Sequence, residues 1–133
     1  MNSPPSPKPP SAPRAGTVPS LDAQALGRLR ELDPDGRQGV VPRVLAAFET
    51  SLARMLTQLQ VEADDPDPAV VASIAHMLKS SSASVGALAL ASTCADVERR
   101  IRTGDLSCVQ RDIGRLISDG EAAQQAVGAI LRP

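Results

Sequence analysis

From residue 20 onward, apolar residues recur at spacings of three and four, the period of amphipathic helices, and no stretch alternates as a half-buried strand would. In "SLDAQALGRLREL" the stripe is Leu21, Ala25, Leu29 and Leu32, with Ser20 as a candidate N-cap and Pro34 stopping the helix near Leu32. "DPDGRQG" reads as a turn. A second helix carries Val41, Val44, Leu45, Phe48, Leu52, Met55, Leu56 and Leu59 on one face, with Pro42 in its first turn, and is predicted to be the longest. Asp67 and Pro68 cap and open a third helix that runs to Val85, where Gly86 supplies a left-handed stop. "ALALASTCADVERRIRT" forms a fourth, ended by Gly104. A fifth starts near Asp105 or Ser107 and buries Val109, Ile113, Leu116, Ile117, Ala123, Val127, Ile130 and Leu131. The pattern predicts an all-α fold: an antiparallel four-helix bundle over residues 20–133, with an additional N-terminal cover helix at one end.

Residues 1–19 do not share this pattern. They are rich in proline and lack an apolar centre, so they read as a disordered linker or tail and not as a signal peptide. A net charge of −1 and aromatic content of 1% argue against nucleic-acid binding, which draws on basic patches and stacking rings. No apolar run is long enough to span a bilayer, so no direct membrane contact and a cytoplasmic setting are expected. Cys94 and Cys108 form no metal or disulfide motif and read as small apolar residues.

The single histidine, His76, lies within the third helix. At about 100° per residue, Ile74, Leu78, Ser82 and Val85 fall within about 60° of Val71 and form the buried stripe with it, while His76 falls near 140° from Val71. Its neighbours on that outer face are Ala72, Lys79, Ser80 and Ala83, all short except the lysine, so a second molecule can reach the ring. Triad or acid–base chemistry wants a cleft and oxyanion donors, which a convex helix does not provide. A protruding neutral imidazole can instead act as a nucleophile toward phosphorus, with an adjacent lysine offsetting phosphoryl charge. On the fourth helix, Leu90, Ala87, Cys94, Val97 and Ile101 cluster, and Glu98 lies on the flank of that stripe with Arg102 one turn on. Glu98 is either the acceptor that fixes the His76 tautomer or half of an ordinary ion pair with Arg102.

The run Ala75-His76-Met77-Leu78-Lys79-Ser80-Ser81-Ser82, followed by Gly86-Ala87, Cys94 and Glu98, resembles the histidine-containing phosphotransfer (Hpt) domains of multistep two-component signalling. The likeness extends over about residues 20–131. It implies that His76 accepts a phosphoryl group from an aspartyl phosphate of a receiver domain and passes it to another receiver. Lys79 would be its charge partner, Glu98 its orienting group, and Arg102 a further charge partner. Gly86 would be structural, and Ser82 would bond backbone within its helix turn. Docking is expected on the face around Ala72, Ser80 and Ala83, with nearby parts of the second helix. Where family members usually carry glycine after the lysine, this chain has Ser80. The resemblance implies a phosphocarrier with no ATP site or cofactor of its own, Mg²⁺ being supplied by the partner receiver. Both a free-standing carrier and the C-terminal module of a hybrid sensor kinase fit, and the proline-rich start favours the second. From a different class, a helical docking scaffold with an incidental histidine would need only the apolar stripes.

Overall fold

The computed structural model describes residues 20–133, so the predicted linker of residues 1–19 lies outside the described residues. Every element among them is a helix: α1 (Ala23–Glu31), α2 (Val40–Glu62), α3 (Pro68–Val85), α4 (Leu88–Arg102) and α5 (Val109–Leu131). The helices α2, α3, α4 and α5 close a ring in which each packs on the next, most extensively α3 on α4 and α2 on α5. The helix α1 lies across α2 and α3 only, as a cover. Leu45, Leu52, Leu59, Val71, Leu78, Leu90, Val97, Ile113, Leu116 and Val127 are fully buried and fill the interior with aliphatic contacts.

Several element ends differ from the sequence-based expectation. Asp22, not Ser20, caps α1, its carboxylate accepting the Ala25 N–H at 3.0 Å. Leu32 is exposed, α1 ending one residue earlier, and Leu26, outside the expected stripe, is buried. The helix α5 starts only at Val109. Asp105 folds back to accept the Ser107 N–H and hydroxyl, a local turn that competes with a helix start. At its other end Ile130 has turned outward beyond the core. With 23 residues each, α2 and α5 are equal in length.

Two loops are held by single residues. Asp33, itself buried, accepts the Gln38 and Val40 N–H groups and so caps α2 from a distance, Gly39 having no side chain to do so. Burial works against its ionised form, but the backbone donors of Val40 and Gln38 outweigh it and hold the carboxyl below its usual range. At the tight α3–α4 turn, Gly86 has φ +88°, and the Ala87 and Gly86 N–H groups close onto Ser82 and Ala83 carbonyls in a Schellman arrangement. The Gly86 carbonyl accepts the Asp22 N–H at 2.9 Å, and a Cβ at Gly86 would stand 2.7 Å from that same Asp22 nitrogen. Gly86 is therefore where the cover helix is fastened to the bundle. Gly86→Ala is expected to cost about 2 kcal/mol from left-handed strain and displacement of the Asp22 backbone, read as a fall in the urea midpoint.

A ladder of polar contacts runs along the α4–α5 seam. Thr93 donates to Asp119 at 2.6 Å, Asp96 lies 3.9 Å from Arg115, and Arg100 grips Asp112 through two guanidinium nitrogens. Each step toward the C-terminus of α4 matches a step toward the N-terminus of α5, as antiparallel neighbours require. Asp112, only 2% exposed in its side chain, was not picked out from the sequence.

Candidate functional site

His76 is placed mid-way along α3, a helix started by Asp67, whose carboxylate accepts the Ala69 N–H at 3.0 Å, with Pro68 in the first turn. Val71, Ile74, Ala75, Leu78, Ser82 and Val85 face inward, and this fixes the rotation that leaves the His76 side chain 68% exposed. The ring stands clear of the core, as the wheel predicts.

Glu98 reaches it from α4. The His76 Nδ1 lies 2.7 Å from Glu98 Oε2, and the Lys79 ammonium donates to Glu98 Oε1, also at 2.7 Å. Arg102 Nη1 approaches Oε2 at 3.8 Å, a looser contact. One carboxylate, 14% exposed, is thus shared by an imidazole and two cations. Lys79, one turn on from His76 along α3, is joined to the ring through the two oxygens of Glu98. Hydrogen bonds from Lys79 and then His76 hold the Glu98 carboxyl below its usual range, although partial burial opposes this. An ionised carboxylate can only accept, so a neutral His76 must carry its proton on Nδ1. Nε2 is then the unprotonated nitrogen, with no protein partner among the described residues.

The remaining sequence-derived candidates are distributed as follows. Ser80 and Ala83 are exposed and Ala72 is half-buried, all on the His76 side of α3. Ser82 is fully buried, but its hydroxyl finds no hydrogen-bond partner among the described residues, which corrects the expected bond to backbone. It sits on the side of α3 packed against the core, where small volume decides. Two exposed apolar residues were missed. Val70 and Met77 line a shallow groove between α2 and α3, with Gln58, Ser73 and Ile74. Met77 immediately follows His76 and falls outside the buried stripe on the wheel, a signal the pattern already contained.

Cys94 is fully buried beneath this site. Burial, then the negative charges of Asp119 and Glu98, push its thiol up to about 12, so it packs as a small apolar group and supplies no nucleophile. No grouping of three or more His, Cys, Asp or Glu side chains suited to a metal occurs among the described residues. Nor is any helix of the described residues long and apolar enough to cross a membrane.

Comparison with known proteins bears on what such a site is for. The family model described as "Hpt domain" matches residues 43–127. Among solved structures, histidine-containing phosphotransfer protein B (HptB) from Pseudomonas aeruginosa PAO1 superposes with a TM-score of 0.72. At 24% identity it covers 86% of this chain and 96% of its own, a likeness of fold. No curated protein sequence matches.

Proposed function

Since this chain belongs to the Hpt domain family, we propose that His76 is its phosphoacceptor, taking a phosphoryl group from the aspartyl phosphate of one receiver domain and yielding it to another. The observation that carries this reading is the hydrogen bond between His76 Nδ1 and Glu98, which leaves Nε2 as a lone-pair nucleophile on an exposed ring. Glu98 orients the ring. Lys79 and Arg102, both within reach of its carboxylate, are the cations placed to meet a phosphoryl group. Mg²⁺ belongs to the receiver's acidic pocket, where it would offset charge during in-line transfer. The chain acts as a carrier, and its role is to present a nucleophile on a rigid helix.

A partner delivering phosphorus to Nε2 must cover the surface around it. Ser80 and Ala83 keep that surface low, and Val70 and Met77 offer apolar area on its α2 side. Ser80 in place of the usual glycine adds a hydroxyl at the rim without blocking approach. The proline-rich sequence of residues 1–19 suits a module tethered within a hybrid sensor kinase. The test is intact mass after incubation with a phosphorylated receiver: a gain of one acid-labile phosphoryl group is expected, and no gain from any receiver tried, nor from a small phosphoramidate donor, would refute the assignment.

A further inference from the structure

Glu98 is a carboxylate with two strong partners on its two oxygens: the His76 ring on one and the Lys79 ammonium on the other, each at 2.7 Å. A neutral amide could hold the same tautomer, because its carbonyl also accepts from Nδ1–H. What only the carboxylate adds is charge. In the resting state that charge is matched by Lys79, and a neutral ring has no need of it.

Phosphorylation changes the accounting. The Nε2 lone pair forms the N–P bond while the P–O bond of the aspartyl phosphate breaks, its electron pair staying on the departing carboxylate. The Nδ1 proton does not move. The ring therefore becomes a phosphoimidazolium, positively charged, carrying a phosphoryl dianion. We infer that Glu98 then exchanges partners: Lys79 swings to the phosphoryl oxygens, and the freed carboxylate holds the charged ring in its Nδ1-protonated form. The inference rests on the phosphoacceptor role of His76 and assigns Glu98 a second task within it, keeping the stored phosphoryl group ready to leave.

The reason is leaving-group chemistry. With Nδ1 protonated, the P–N bond breaks to give neutral imidazole; with Nδ1 deprotonated, the ring would have to depart as an anion. A carboxylate within hydrogen-bond distance favours the protonated form over neutral and mildly alkaline pH, so the phosphoryl group stays transferable there. Lys79 is able to make the exchange. It is a flexible side chain, more than a third exposed, and it sits one turn from the ring on the same helix. Arg102, from α4, stays near Oε2 in both states and limits the net charge of the cluster. No charged group from α1, α2 or α5 forms an ion pair with His76, Lys79 or Glu98 among the described residues; Arg28 of α1 lies beyond Ala83, further along α3.

The experiment loads the full chain and its Glu98→Gln variant with phosphoramidate, which supplies the phosphoryl group and releases ammonia. Loss of the group to water is then followed by intact mass from pH 5 to pH 10. The wild-type rate is expected to hold level to higher pH before falling. In Glu98→Gln the fall sets in about 1–3 pH units lower, the shift that an opposite charge at this distance produces on a titrating ring. The ¹⁵N shifts of the unphosphorylated ring should report the same Nδ1–H tautomer in both proteins, which separates the charge from the orientation. Loaded proteins with coincident pH profiles would overturn the exchange while leaving His76 as acceptor. Failure of the wild type to load at His76 from phosphoramidate and from phosphorylated receivers alike would overturn the phosphoacceptor role and the exchange with it.

Discussion

His76→Gln is expected to abolish phosphoryl uptake outright while leaving the fold intact. The carbon–nitrogen skeleton of glutamine reaches a similar length, and its amide can still meet Glu98, but it has no ring lone pair able to attack phosphorus. Because the side chain is largely exposed and makes no core contact, helicity and the urea midpoint should stay within about 0.5 kcal/mol of wild type. Intact mass after incubation with a phosphorylated receiver checks the first half and circular dichroism the second. Residual uptake at the wild-type level would mean that another residue is the acceptor.

The largest stability effect is expected at Asp112→Ala. Asp112 is buried against Arg100, whose guanidinium grips both carboxylate oxygens, and Arg115 approaches at 3.7 Å. The hydrogen bonds that Arg100 donates to Asp112 raise its pKa, and with Asp112 removed the guanidinium still stays charged because it does not deprotonate in proteins. Breaking such a pair strands one charge in a half-buried place, at a cost of about 3 kcal/mol in unfolding free energy. Replacing both partners, as in Arg100→Met with Asp112→Leu, should recover most of that loss, because the half-buried guanidinium is then gone and Arg115, which is exposed, keeps Asp96 as a partner. Urea unfolding of the single and double variants measures both. A double variant no better than Asp112→Ala would show that the pair contributes by shape and not by charge.

Much of the architecture was readable from spacing. Leu45, Phe48, Leu52, Leu56 and Leu59 could only share one face of a helix, and that face is buried. The same logic turned His76 outward and brought Glu98 to the flank of α4, because both inferences depend only on which neighbours must be inside. Where the outcome hung on local hydrogen bonds, the pattern was silent. Asp22 and Ser20 are both good caps, and the choice between them is made by the Gly86 carbonyl, which is distant in sequence. Asp105 could open a helix or fold onto Ser107, and the second prevails. Asp112 sits where an acidic first-turn residue is ordinary, so nothing in its neighbours announced a buried partner on α4. Lys79 was placed on the correct face, but a long side chain can choose between targets, and the choice of Glu98 was not visible from helix geometry.

The rungs between α4 and α5 also forbid mispairing. Sliding α5 by one turn in one direction would set Asp96 opposite Asp112; sliding it the other way would set Arg100 opposite Arg115 and Asp96 opposite Asp119. Either misalignment stacks like charges where the native register interleaves opposite ones, so a bundle of smooth aliphatic staves, which could otherwise shift lengthwise at small cost, is notched into a single alignment.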